Sequence, residues 1–209
     1  MFVLLGLAVC ASVGCSGRGA PVTSPTSSTA DSTTVPGRPL TVVGDSLSVL
    51  GRKPIRAVLG AAGWDVLVDA FPGRTTADQI PALRYAAADS RRAVIIELGT
   101  NDAVQIANGR LDQRAVLATI GQALDLFGDR CVVWVVPGRD PEAKGAMRGA
   151  VIADALTAQA AKRPNLHLAD FGAVLEAHPE YLLDDHVHFT DDGSQALAQL
   201  MADAVATCR

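Results

Sequence analysis

Val42-Val43-Gly44-Asp45-Ser46-Leu47-Ser48 is the stretch from which the fold is read. Thr41 to Val43 form a short run of β-branched residues, the kind that packs on a pleated, buried surface. Gly44 ends that strand, and Ser46 stands two residues later, where a helical region begins. A serine on a tight strand-to-helix turn is held off the core. Its hydroxyl then lies at the carboxyl edge of a sheet, where open α/β folds keep their sites. Ser46 is therefore a candidate nucleophile. The same residues also read as an ordinary strand end, with Gly supplying a positive φ and Asp or Ser capping a helix.

The pattern repeats along the chain. Further strands are expected at residues 64–70, 93–98, 131–136 and 166–169, and the third and fourth are apolar almost throughout, as suits strands buried on both faces. Helices are expected at 55–62, closed by Gly63, and at 76–88, capped by Thr75 or Thr76 with Ala77, Ile80, Leu83 and Ala87 on one face. Others are expected at 113–127, from Pro141 to about residue 161, at 171–177 and at 191–207. A polar loop, 183–190, precedes the last. Strands alternating with helices predict an α/β fold: a doubly wound, flavodoxin-like, five-stranded parallel sheet in three layers.

The chain has 209 residues, 49% hydrophobic and 19% charged, enough to bury a full core. A net charge of −4, no basic cluster and 4% aromatics exclude a nucleic-acid binder. Residues 1–15 read as a signal peptide, since the apolar run 2–13 is too short to span a membrane. Ser12-Val13-Gly14-Cys15 matches a lipobox and makes Cys15 the expected lipidation site; Leu7-Ala8-Val9-Cys10 matches less well. The lack of Lys or Arg before the run departs from that pattern. Residues 16–37, rich in Ser, Thr, Pro and Gly, are expected to be a disordered tether before a domain at 38–209. The chain is thus expected outside the cytoplasm, lipid-anchored or secreted into the envelope, and monomeric. Cys131 and Cys208 should both lie at the amino edge of the sheet, where a disulfide and two separate thiols are equally open readings.

A serine nucleophile needs a base and a carboxylate to hold that base. Asp185-His186-Val187-His188 lies just before the last helix, and a three-residue spacing in a turn lets Asp185 reach the ring of His188. Thr190 can cap the helix that follows. His186-x-His188 with Asp184 and Asp185 also reads as metal ligands, or as a solvated acidic loop. Asp170 is a rival acid. Asn101, in Gly99-Thr100-Asn101-Asp102, can aim an amide at an oxyanion; losing such a donor costs roughly 3 kcal/mol in the barrier. Gly73 can bring a backbone N–H to the same place. Both stretches also read as plain turns.

These blocks resemble the SGNH, or GDSL, hydrolase family: Gly44-Asp45-Ser46-Leu47-Ser48, Gly73, Gly99-Thr100-Asn101-Asp102 and Asp185-His186-Val187-His188, in order, across residues 40–207. Pro72 stands where the family often has Ser. The absence of Gly-x-Ser-x-Gly around Ser46 sets the chain apart from the ordinary α/β-hydrolase elbow. The resemblance implies a catalytic Ser46, His188 and Asp185, and an oxyanion hole from the Ser46 and Gly73 N–H groups and Asn101. It implies an acyl-serine intermediate and no metal or organic cofactor.

Short loops and an extracytoplasmic site point to small acyl esters on an envelope carbohydrate or glycolipid. Arg74 and Arg139 are candidates to hold an anionic group on the substrate, or are plain surface arginines. An acyltransferase using the same residues, and a non-catalytic glycan-binding lipoprotein, are the alternative readings.

Overall fold

β-Branched and apolar runs build the central sheet in the computed structural model, which describes residues 37–90, 93–139 and 146–208, of 146–148 the backbone alone. The expected signal peptide, Cys15, most of the expected tether and the helix start at Pro141 lie outside the described residues. The strands are β1 (Arg38–Gly44), β2 (Trp64–Ala70), β3 (Ala93–Glu97), β4 (Val132–Val136) and β5 (Leu166–Asp170). All pair in parallel in the order β2-β1-β3-β4-β5. The chain steps from β1 out to β2 and then crosses over β1 to β3. That switch opens a crevice at the carboxyl ends of β1 and β3, where α/β folds bind ligands. Gly44 is level with Ala70 on one side and Glu97 on the other, so the loops after β1, β2 and β3 leave the sheet together.

Alternation along each strand feeds two cores. Leu40, Val42, Ile95, Val133 and Val135 face α1 (Ser46–Leu50), α2 (Arg52–Ala61), α7 (Phe171–Ala177) and α8 (Asp191–Val205). Val43, Val94, Ile96, Val132 and Trp134 face α3 (Ile80–Ala88), α4 (Thr100–Ala107), α5 (Gln113–Asp125) and α6 (Ala146–Ala160). Each such side chain, fully buried, contributes about 1.5–3 kcal/mol. Trp134 is fully buried and its indole N–H donates to the Leu98 carbonyl at 3.0 Å, so its one polar atom is satisfied.

Two expectations need correction. The second long helix starts at Ile80 instead of residue 76, because Thr75 and Thr76 have other partners. Thr75 exchanges bonds with Asp78, and the Thr76 N–H and hydroxyl both donate to Asp102, at 2.8 and 3.0 Å. Gly99-Thr100-Asn101-Asp102, open to a plain-turn reading, instead starts α4. Gly99 takes a φ of 122° as its cap, and Ala103 and Ile106 are buried by the helix.

Cys131 and Cys208 are joined by a disulfide, their Cα atoms 5.6 Å apart, linking the start of β4 to the end of α8. The bond closes a separation of 77 residues. Its reduction is expected to lower unfolding free energy by about 2–5 kcal/mol. Urea titrations with and without a thiol reductant check this; identical curves would show that the bond constrains nothing.

Candidate active site

Ser46 opens α1, and Asp45 caps that helix by accepting the Leu47 N–H at 3.0 Å. The cap fixes the turn and leaves the Ser46 side chain half-buried at the edge of the crevice. A second turn meets it from residues 183–188. There the His186 N–H donates to the Leu183 carbonyl, and the Leu183 N–H to the His188 carbonyl, at 2.9 and 2.8 Å. His186 takes a φ of 57°, the left-handed conformation that tightens the reversal. Leu182 and Phe189 pair as a bridge, and Thr190 caps α8 through Gly193. Asp185 Oδ1 accepts the N–H groups of Val187 and His188, at 3.0 and 2.9 Å. Its Oδ2 lies 2.6 Å from His188 Nδ1, and His188 Nε2 lies 3.1 Å from Ser46 Oγ.

The tautomer follows from the partners. Desolvation opposes the charge on Asp185, but the His188 ring, through its hydrogen bond and its charge, and two backbone N–H groups hold its carboxyl down at about 2. An ionised carboxylate only accepts, so Nδ1 carries the proton and Nε2 is free to accept from Ser46. Hydroxyl, imidazole and carboxylate thus stand in line. The site is open: the side chain of His188 is 32% exposed and that of Asp185 51%.

Asn101, in the first turn of α4, donates its amide to Asp45 Oδ2 at 2.8 Å, which sets it beside the Ser46 turn. Gly73 has a φ of 73°, so the loop after β2 depends on its freedom from a side chain there. Beneath the turn lies a layer of acids that the expected triad does not include. Glu97, at the end of β3, is 3% exposed; Asp45 is fully buried and Asp102 nearly so. Burial first, and Asp45 second, push the Glu97 carboxyl well above its ordinary range. Burial pushes Asp45 up to about 6, against its bonds from Leu47 and Asn101, and burial raises Asp102 as well. The signal was present in the sequence as a lone acid ending the apolar run Ala93-Val94-Ile95-Ile96-Glu97.

A family model for the GDSL-like lipases and acylhydrolases matches residues 31–196. The chain belongs to that family. Among curated relatives, the O-acetyltransferase OatA of Staphylococcus aureus (strain NCTC 8325) is 29% identical over 170 residues, 79% of this chain and 25% of the relative. The chain thus spans about a quarter of the length of the curated relatives it matches. The catalytic domain of Streptococcus pneumoniae peptidoglycan O-acetyltransferase A superposes with a TM-score of 0.65 at 19% identity, covering 82% of this chain and 94% of that one. The acetylxylan esterase Axe2 of Geobacillus stearothermophilus gives 0.62 at 18%, covering 81% and 94%. A GDSL-like lipase of Bacteroides thetaiotaomicron gives 0.68 at 15%, covering 82% and 89%. At such identities these structures establish the GDSL fold.

The two candidate anion-holding arginines differ in their surroundings. Arg139 is already paired, through Nε to Glu176 at 3.0 Å and through an amino group to Asp170 at 3.1 Å. A substrate anion at Arg139 would have to compete with both carboxylates. Asp170, the rival acid, caps α7 through Ala173 and holds Arg139. Arg74 is exposed, its guanidinium 6.0 Å from the Phe71 ring centre. No three groups of the 184–188 loop gather around a common ion among the described residues. Cys131, His167 and Cys208 do approach one another, but both sulfurs are in the disulfide. Among the described residues no helix is long and apolar enough to cross a membrane. A groove of about 360 Å³ runs between α2 and α8, lined by Leu50, Lys53, Pro54, Asp191 and Gln195.

The raised acids predict an inverted pH response. The folded chain holds the Asp45 proton up to about 6, whereas the unfolded chain releases it near 3.8. Between those values the native state binds more protons, so stability falls as pH rises. Glu97 and Asp102 act in the same direction. The depressed Asp185 acts oppositely, but only below about 3.8. Circular-dichroism melts are expected to give a higher midpoint at pH 5 than at pH 7. A midpoint that rises from pH 5 to 7 would refute the buried-acid account.

Proposed function

We propose that the chain is a serine esterase that removes small acyl groups from a carbohydrate or glycolipid of the cell envelope. The observation that carries this is the line from Asp185 Oδ2 to His188 Nδ1, at 2.6 Å, and from His188 Nε2 to Ser46 Oγ, at 3.1 Å. In this reading Ser46 Oγ attacks the ester carbonyl as its proton moves to His188 Nε2. The oxyanion is met by the N–H groups of Ser46 and Gly73 and the Asn101 amide. His188 then gives the proton to the leaving alcohol, and water, activated by His188, releases the acid from Ser46. Asp185 stays ionised and supports the imidazolium.

The groove between α2 and α8 supports an alcohol of sugar size. Leu50 is four residues from Ser46 on α1, about 6 Å along the helix, and Asp191 is three residues beyond His188. The groove is therefore lined by residues close in sequence to both Ser46 and His188. Its apolar Leu50 and Pro54 and polar Lys53, Asp191 and Gln195 suit the two kinds of surface a sugar presents. Envelope location is supported by the name of the pneumococcal enzyme and by the expected signal peptide, with the lipid anchor on Cys15 as part of the same proposal.

A second reading has its own support. The 29% identity is to O-acetyltransferases, so the acyl-serine would pass its acyl group to a sugar hydroxyl instead of water. The deciding experiment offers the purified chain an activated acetyl ester with and without a chito-oligosaccharide and analyses products by mass spectrometry. Free acetate in both cases supports the esterase; an acetylated sugar formed in preference supports the transferase. A chain that turns over no ester and forms no adduct at Ser46 ends both readings.

A further inference from the structure

Glu97 has no role in the chemistry described above, yet it is buried directly beneath the Ser46 turn. Its Oε2 accepts the Ser48 hydroxyl at 2.9 Å, the Ser48 N–H at 3.1 Å and the Asp45 N–H at 3.4 Å. Ser48 is in α1 and fully buried, so three donors from the nucleophile turn converge on one buried oxygen. None of these donors is a cation. The charged groups acting on the pair are acids, Asp45 on Glu97 and Asp102 on Asp45. Burial without a cation, beside a second carboxylate, favours the neutral form of Glu97. Asp45 meanwhile accepts the Leu47 N–H on one oxygen and the Asn101 amide on the other.

The consequence reaches the oxyanion. Asn101 is aimed by Asp45, and Asp45 is braced from below by Glu97. We propose that Glu97 is a positioning residue, a neutral acid that ties the Ser46 turn to Asp45 and through Asp45 orients the Asn101 amide. It replaces the water that would otherwise enter beneath the turn, and adds no charge to a dry layer. Gly44 reports how closely this layer is packed: a Cβ there would strike the Ser48 side chain and come within 3.1 Å of Glu97 Oε2. Asp102 performs the parallel task on the next loop by holding both polar groups of Thr76, three residues past Gly73. This inference deepens the proposed esterase reading and rests on it only for the kinetic arm of the test.

The test uses the full chain. In ¹³C-labelled protein the Glu97 carboxyl carbon, assigned by its loss in Glu97→Gln, is expected at the chemical shift of a protonated acid at pH 7. An ionised shift overturns the proposal. In ¹⁵N spectra the Asn101 side-chain amide is expected to stay in place in Glu97→Gln and to move in Glu97→Leu; an amide unmoved in both overturns it. On an acetyl ester, Glu97→Leu is expected to lower kcat about 100-fold, the range for a misplaced oxyanion donor, with KM nearly unchanged. Glu97→Gln, which keeps the acceptor oxygen in a neutral group of the same size, is expected to stay within about threefold of the native kcat. Equal losses in the two, or none in Glu97→Leu, overturn the proposal. Should Glu97→Leu fail to fold, Ser48→Ala removes one donor from Oε2, and an unmoved Asn101 amide with native kcat would overturn it instead. A native chain without any ester turnover would sink the esterase reading, while the two spectra would still decide the place of Glu97.

Discussion

Ser46→Ala is expected to reduce kcat on an acetyl ester by about 10⁶-fold, to the level that binding and the oxyanion donors alone sustain. The expectation follows from the division of labour in the site. Ser46 Oγ is the atom that meets His188 Nε2, at 3.1 Å, so removing it leaves the imidazole with nothing to activate but water. Nothing else should change. The turn is held by Asp45 on Leu47 and by Glu97 on Ser48, not by the Ser46 side chain. The variant should therefore melt with the native protein. Stopped-flow turnover of p-nitrophenyl acetate, with intact-mass analysis after a short incubation, checks both halves. The native chain should show an acetyl adduct that the variant lacks. Equal rates in the two proteins would remove Ser46 from the chemistry, whatever the alignment of the three groups.

Much of this arrangement was legible in the chain because local chemistry dictated it. The runs that form β1 to β5 are β-branched or apolar, and a parallel sheet buried on both faces tolerates little else. The strand at residues 64–70 was readable to the residue, since Gly63 closes the helix before it. The line formed by Asp185, His188 and Ser46 could be anticipated because a carboxylate three residues before an imidazole in a tight turn has few other ways to point. What was hidden depends on partners distant in sequence. Thr76 looked like a helix cap, and Asp102, 26 residues on, took both of its donors instead. Glu97 looked like the end of an apolar strand. Only the pairing of β1 with β3, which brings Gly44 level with Glu97, shows that it sits beneath the Ser46 turn. The partners of Arg139, Asp170 at the end of β5 and Glu176 on α7, are likewise distant in sequence.

The two layers of the site carry opposite electrostatics. Above, Asp185 is open to solvent and held down at about 2 by its hydrogen bonds. Below, three carboxylates are buried and pushed upward, Asp45 to about 6. An acid that must stay charged is given donors, and acids that must shape a dry scaffold are given burial. The upper carboxylate therefore holds its charge down to low pH, while the lower layer takes up protons more readily than free carboxylates would, Glu97 foremost.

That contrast sets the size of the second large effect, expected for Asp185→Asn. The substitution keeps Oδ1, which accepts the Val187 and His188 N–H groups, so the 183–188 turn should survive. It replaces Oδ2, 2.6 Å from His188 Nδ1, with an amide nitrogen that can only donate. Two donors cannot share that contact, so the ring takes its other tautomer, with Nδ1 accepting and Nε2 protonated. A protonated Nε2 faces Ser46 Oγ as a donor and cannot take its proton. Loss of about 10⁴ in kcat accompanies this inversion in a buried triad. Because Asp185 is half-exposed, water can compete for the ring, and a loss nearer 10³ is expected here, with KM within about threefold. Asp185→Ala removes the wrong donor together with the right acceptor, but also frees both N–H groups of the turn. It is expected to retain more activity than Asp185→Asn while melting lower. Steady-state kinetics and melting curves for the pair decide between tautomer control and simple charge loss. If Asp185→Asn is the more active of the two, the carboxylate serves only as a charge near the ring, and the tautomer argument fails.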